Sequence, residues 1–325
     1  MLHLFHLPAG ALGAPPPAGA WLGAACFGGA APDFALPCAH VQAPVLAGPP
    51  APCEAFAAAG PLREGRHGPW HWRCSEHWWF GAARIGEPAA PLQQTVQRAY
   101  TQLMEAAAAA GFERLVRVWN HIADINGDGN GLERYRQFNI GRQDALLAGG
   151  YSVAGGGVPA ASALGAAAGA PFTLYALATR HPVQAVENPR QTSAYRYPAE
   201  YGPRSPTFSR ATLVRAGAGP LLFISGTASI VGHCSLHAGD ALAQTRETLC
   251  NLQAVLDAAA GLTAARWEFS QLHYKVYVRN PADWPAIEAE LRRTIGGRAA
   301  VLALQADVCR GELLVEIEAA GGGEA

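Results

Sequence analysis

The stretch Asp307 to Ala319 reads DVCRGELLVEIEA. Leu313, Val315 and Ile317 alternate there with Leu314, Glu316 and Glu318. A period of two predicts a strand over Leu313 to Ala319 with one face in a core. The opposite face then carries two carboxylates in a chain that is only 15% charged. Glu318, close to the end of the strand, reads as a solvated edge residue. Glu316 sits mid-strand beside the bulkiest apolar residues and is expected to line a cleft. A partly desolvated carboxyl has a raised pKa and can donate a proton near neutral pH.

Upstream of that strand, Val301 to Gln305 and Tyr274 to Arg279 predict two more, with a helix between them over Asp283 to Arg293. Asp240 is a good N-cap for a helix through Ala260, and Gly261 is expected as its C′ residue. Leu221 to Ser225, LLFIS, predicts a strand ending at Gly226. The first half has the same plan. His71 to Ile85 reads as a hairpin strand with Trp72, Trp78, Trp79 and Phe80 of core size. Glu87 to Ala110 predicts a helix, because Leu92, Val96, Ala99, Leu103 and Ala107 recur at spacings of three and four. Gly111 is its natural C′ residue. Leu115 to Ile122 predicts a strand, Gly131 to Leu147 a second helix, Gly149 to Gly157 a glycine-rich turn and Pro171 to Ala178 a buried strand. Thr95 to Gly111 and Thr245 to Gly261 share a spacing of 16. Each half reads strand–strand–helix–strand–helix–strand–strand, which an internal duplication explains most simply. The fold class expected is α+β. The expected division is residues 1–190 and 191–325, with residues 1–60 contributing strand and loop.

At 325 residues and a formal net charge of −1, the chain predicts one large or two medium domains. It carries no basic stripe and no run of like charge, which argues against nucleic acid as a partner. No Lys or Arg precedes Arg63, and prolines at 8, 15, 16 and 17 break the apolar N-terminus. No signal peptide and no membrane-spanning helix are therefore expected. The seven cysteines are odd in number, widely spaced and without a CxxC. They are expected to be reduced thiols in a cytoplasmic protein rather than disulfides or zinc ligands.

Asp124 to Gly129 starts like a calcium-binding loop, but its twelfth position is Tyr135 where a bidentate Glu is needed. His233 and His237 stand four apart without a third ligand, and the Gly155–157 run lacks a strand–helix context. No metal or cofactor is expected. The arginines say more. Arg134, Arg136 and Arg142 fall on one predicted helix, and Arg196, Arg204 and Arg210 in YRYPAEYGPRSPTFSR. Arg204 and Arg210 stand among Tyr201, Pro203, Pro206 and Phe208, where prolines fix the backbone and aromatic rings exclude water. Arginine held in such a loop suits bidentate binding of a carboxylate.

The stretch FISGTASIVGHCSLHAGDALAQTRETLCNLQAVL, with LLVEIEA, resembles the YjgF/RidA fold. The whole chain is similar to the chorismatases through HWWFGA, VRVWNHIADIN, GLERYRQFNIGR, ENPRQTSAYRYPAEYGPRSPTFSRA, SGTASIVGH, HYKVYVRNPAD and LLVEIEA, over roughly residues 70 to 320. The resemblance implies two RidA-like halves, their sheets packed together with helices outside, as a monomer or small homo-oligomer. It implies chorismate as substrate, a dianion with an enolpyruvyl ether, and hydrolysis that releases pyruvate without cofactor or metal.

Such an ether is opened by protonating its methylene carbon, which leaves an oxocarbenium-like centre. The enzyme needs one acid of raised pKa, arginines for two carboxylates and a dry pocket. Glu316 is the expected acid, and Arg142, Arg204 and Arg210 with Tyr201 the expected anchors. Capture by water leaves a dihydroxy diene, whereas capture by the ring's own hydroxyl ends in a hydroxybenzoate. The resemblance places the two positions that decide this at Gly226 and Cys309. Glycine and cysteine are the residues of the hydroxybenzoate-forming branch, so 3-hydroxybenzoate with some 4-hydroxybenzoate is the expected product. Two rivals share the fold: an enamine/imine deaminase and a non-catalytic binding protein. The deaminases need an arginine in the strand before the last, where an ungapped alignment puts Val308.

Overall fold

The computed structural model describes residues 1–29, 34–86, 91–154, 157–217 and 219–323. The chain begins with β1 (Leu2–Pro8), β2 (Ala20–Phe27), β3 (Cys38–Val41), β4 (Val45–Ala47) and β5 (Pro52–Ala58). Four of these form a sheet in the order β1-β5-β2-β3, while β4 leaves to pair with a strand near the far end of the chain.

The first half continues with β6 (Arg63–His67), β7 (Trp70–Cys74), β8 (Trp78–Ile85), α1 (Leu92–Ala109) and β9 (Arg114–Ala123). A small hairpin of β10 (Asp128–Gly129) and β11 (Leu132–Glu133) leads into α2 (Arg134–Ala148), then β12 (Ala160–Ala166) and β13 (Phe172–Thr179). The sheet order is β12-β9-β13-β8-β7-β6. The second half has β14 (Val183–Val186), β15 (Ala211–Ala216), β16 (Gly219–Ala228), the hairpin β17 (Ile230–Val231) with β18 (Cys234–Ser235), and α3 (Ala241–Ala260). It closes with β19 (His273–Val278), α4 (Trp284–Ile295), β20 (Ala300–Gln305) and β21 (Val315–Gly322), in the order β14-β15-β16-β21-β19-β20-β4.

The two halves superpose in topology. β9 and β12 are parallel across α2, as β19 and β20 are across α4, and the last strand of each half inserts antiparallel beside the first of its parallel pair. The N-terminal sheet repeats this pattern without the helices: β2 and β3 are parallel, and β5 inserts antiparallel between β1 and β2. Residues 1–60 thus have the strand plan of a third, stripped unit. By pairing, β14 and β4 both belong to the second-half sheet, so the sheets do not part at residue 190.

Each large sheet turns one face to its own helices. Leu92, Val96, Leu103 and Phe138 pack on Leu174 and Val118 in the first half, and Leu252, Leu256, Ile287 and Leu291 on Tyr274 and Ile317 in the second. The three sheets meet in a central core of Leu22, Phe56, Phe80, Trp119, Tyr175, Phe223 and Tyr277. The α1 stripe ends as expected at Gly111, with a left-handed φ of 85°. Asp240 Oδ1 accepts from the Ala243 amide at 2.9 Å and starts α3. Gly261, expected as a left-handed C′ residue, is instead right-handed with φ −69°. The glycine-rich turn and the start of the α1 reading include residues 155–156 and 87–90, which lie outside those described.

Three expectations change. The last strand starts at Val315 rather than at Leu313. The Arg279 guanidinium holds the carbonyls of Val308, Arg310 and Leu313 at 3.2, 3.0 and 2.9 Å, so residues 307–314 form a loop and not a ladder. The cysteines are not all thiols: Cys26 and Cys53 face each other across β2 and β5 and form a disulfide. Glu318 is no edge residue: it is 3% exposed and ion-paired in the central core.

Candidate active site

Between the two halves lies a cavity of about 300 Å³ whose lining includes Glu316, Gly226, Arg210, Tyr201, Cys309 and Arg310. Second-half strands β16 and β21 form its floor, and Tyr135 and Arg136 at the start of α2 close it from the first half. A more open groove of about 1130 Å³ runs along residues 42–52, but its lining has no carboxyl group.

Glu316 pairs across β21 with Ala228 and Tyr277. Burial pushes its carboxyl up to about 8, the charge of Glu318 adds to this, and Arg117 and Arg210 oppose it. It is therefore mostly protonated at neutral pH. β16 shifts register against β21 between Ile224 and Thr227, and this bulge brings Gly226 under the carboxyl. A Cβ on Gly226 would stand 1.8 Å from Glu316 Oε1. Glycine here makes room for the acid itself.

Arg210 precedes β15. It donates to the Thr192 carbonyl at 2.8 Å and the Tyr197 hydroxyl at 2.9 Å, and its buried Nε has no partner among the described residues. Arg310 lies 4.0 Å from the Tyr201 ring centroid and 5.2 Å from that of Tyr197. Its Nη1 donates to the His233 carbonyl at 2.9 Å and to Ser235 Oγ at 3.0 Å. Tyr201 donates to the same His233 carbonyl at 2.8 Å. Burial pushes the Cys309 thiol up to about 12, Glu316 adds to this, and Tyr135 and Arg310 oppose it. Cys309 is therefore a neutral S–H group.

The structure thus brings together Glu316, Cys309, Tyr201, Arg210 and Gly226. It does not bring Arg204, which is half exposed and 3.6 Å from Asp144. Arg142 stands one layer behind, stacked over Phe138 and over the wall residue Phe208 at 4.6 and 5.8 Å, with Nη2 donating to Asn139. Arg310, Tyr135 and Tyr197 escaped sequence reading. Arg310 follows Cys309 directly, but it lies in the loop 307–314, which carries no periodic signal to show that it turns inward. Val308 itself is buried in an apolar cluster with Leu313 and Ile230.

His233 and His237 pair separately with Glu200 and Glu247, at 3.7 and 3.6 Å. Among the described residues no cluster of three or more His, Cys, Asp or Glu side chains could hold a metal, and no helix is long and apolar enough to cross a membrane.

Comparison with known proteins finds relatives of one family. The family described as chorismatase FkbO/Hyg5-like, N-terminal, matches residues 54–178. A 3-hydroxybenzoate synthase of Streptomyces hygroscopicus is 38% identical over 251 residues, 74% of this chain and 73% of that protein. A chorismatase of Streptomyces rapamycinicus is 38% identical over 82% of this chain and 80% of its own length. A crystal structure of a chorismatase matches 99% of this chain and 98% of its own at a TM-score of 0.88 and 30% identity.

Proposed function

The chain belongs to the chorismatase family and is an enzyme of that type, and on this premise we propose that it cleaves the enolpyruvyl ether of chorismate with Glu316 as general acid. The observation that carries this reading is a buried carboxyl of raised pKa facing a cavity that also holds three arginines, Arg136, Arg210 and Arg310. Glu316 protonates the methylene carbon, and the positive centre that forms is attacked at the ether carbon. Arg210 and Arg310 bind the two carboxylates of the substrate, with Tyr201 and Tyr197 stacking the Arg310 guanidinium in place. Arg142 braces Phe208 rather than touching substrate.

For the product we propose pyruvate with 3-hydroxybenzoate, and some 4-hydroxybenzoate. This balance consumes no net water, whereas the dihydroxy diene requires one. Two features support it. Gly226 lets Glu316 sit flat against the floor, which leaves the cavity to the ring. Cys309 offers an uncharged S–H beside the acid, suited to passing a proton during aromatisation. Pyruvate release from chorismate, followed by chromatography of the ring product, tests both parts. Absence of pyruvate removes the reading. Pyruvate with only the diene removes the product assignment.

A further inference from the structure

Resting on the chorismatase reading above, we propose that Ser162 is a positioning residue for Glu316. Its hydroxyl holds the Gly226 amide and so denies that amide to the Glu316 carboxyl.

Ser162 belongs to β12 of the first half, whereas Gly226 and Glu316 belong to the second. Three groups meet at its Oγ. The Gly226 amide donates to it at 3.0 Å, Arg117 Nη2 donates at 2.5 Å, and Glu318 Oε2 lies at 2.6 Å. The first two are donors only and the third is an ionised carboxylate, so the Ser162 proton points to Glu318. The hydroxyl then makes one donated and two accepted bonds, all it can make. Ser225 mirrors it: its Oγ accepts from the Ala161 amide at 2.9 Å and donates to the Ser209 carbonyl at 2.6 Å. Two serines thus pin the two halves together at the bulge, where the β16–β21 ladder is interrupted.

The Gly226 position decides what this does. A Cβ there would lie 1.8 Å from Glu316 Oε1 and 3.0 Å from Ser162 Oγ. The Glu316 carboxyl therefore stands over the Gly226 Cα, next to the amide that Ser162 holds. Without that hydroxyl, the N–H turns to Glu316. A donor to a carboxyl favours the ionised form, and an ionised Glu316 cannot protonate the ether. Ser162 does not line the cavity, so substrate affinity is not its concern.

Ser162→Ala should lower kcat at pH 8 by about fivefold, the effect there of about one unit in the acid's ionisation. KM should change little, and the basic limb of the kcat profile should move to lower pH. Ser162→Thr keeps the hydroxyl and should restore the limb. The same ionisation is read without substrate from the infrared band of a buried protonated carboxyl, assigned to Glu316 by its loss in Glu316→Gln. Its titration midpoint should fall in Ser162→Ala and return in Ser162→Thr. Should the threonine variant fail to fold, Ser162→Gly, which also lacks the hydroxyl, must shift as Ser162→Ala does. A lower melting temperature with an unmoved infrared titration overturns the proposal. If the wild-type protein releases no pyruvate from chorismate, the chorismatase reading fails while the infrared titration still decides the role of Ser162.

Discussion

Glu316 and Glu318 stand two positions apart on one face of β21, equally buried, yet their surroundings force opposite charge states. Glu318 meets five donors: Lys275 at 2.6 Å, Arg117 at 2.5 Å, Ser162 at 2.6 Å, Trp119 Nε1 at 2.8 Å and the Tyr277 hydroxyl at 3.2 Å. Burial alone would raise its carboxyl, but Lys275 and Arg117 hold it down at about 2. Glu316 has no such partner among the described residues and keeps its proton. The same residue type becomes a fixed charge or a proton donor according to the donors its neighbours supply. The cavity needs the second kind, and the central core supplies the first.

The first half shows what is lost without these carboxylates. Glu316 and Glu318 pair with Tyr277 and Lys275, and the corresponding pairs in the first half join Thr173 to His121 and Tyr175 to Trp119. Tyr175 and Glu54, from the other two sheets, both reach Lys275, at 2.7 and 2.5 Å. The three sheets therefore share one buried ion cluster, and of its neighbours Glu54, Glu316 and Glu318 it is Glu316 that lines the cavity of about 300 Å³. We propose that residues 1–190 and 191–325 act as two units that share this cluster, with β4 and β14 of the first lent to the sheet of the second.

The largest expected effect is on the cavity side. Glu316→Gln should lower kcat by about 10²–10⁴-fold, the usual contribution of a positioned acid, with melting temperature little changed. A variant that keeps more than about a tenth of wild-type kcat would show that the acid lies elsewhere. On the core side, Glu318→Gln leaves Lys275 and Arg117 short of a counter-charge. It should cost about 3–5 kcal/mol of stability in denaturant unfolding. Its pH signature has a definite sign. Because the folded carboxyl is held below its unfolded value of roughly 4.3, Glu318 stabilises the protein above that pH. The contribution is lost as pH falls through about 2. Unchanged unfolding in the variant would contradict the ion-cluster account.

How much of this was legible in the sequence depended on how local each signal was. Helices α1 and α3 announced themselves through apolar spacing and end residues. β12, AASALGA, carries no alternation because its small residues pack close between neighbours, and only the β9–α2–β12 crossover reveals it. Glu316 was legible from period and bulk. Glu318 was misread because its partners Arg117 and Lys275 lie 201 and 43 residues away in sequence, and nothing local predicts them. The disulfide was hidden for the same reason: strand register, not spacing, joins Cys26 to Cys53. Arg204 looked like an anchor from its proline-rich setting, but the loop turns it outward to Asp144.

Smaller effects separate the arginines and the thiol. Arg210→Ala and Arg310→Ala should each raise KM for chorismate by about 10–100-fold, as expected when a charge-assisted hydrogen bond is removed. Arg204→Ala should change it by less than about twofold, because an exposed pair is worth little. Steady-state kinetics showing the reverse order would move the anchors back to the exposed loop. Cys309→Ala should keep pyruvate release and shift the ring product toward the dihydroxy diene, read by chromatography. An unchanged product ratio would leave Cys309 as packing alone.

The contrast between the two carboxyls is tested most directly by the pH dependence of kcat/KM for pyruvate release from chorismate, which reports ionisations of the free enzyme. Glu316 must be protonated to act, so the rate should hold at neutral pH and fall as pH rises through about 8. The residual rate of Glu316→Gln should lack that limb. A wild-type rate that climbs through pH 8, or a limb that survives in the glutamine variant, would contradict the assignment of Glu316 as the acid.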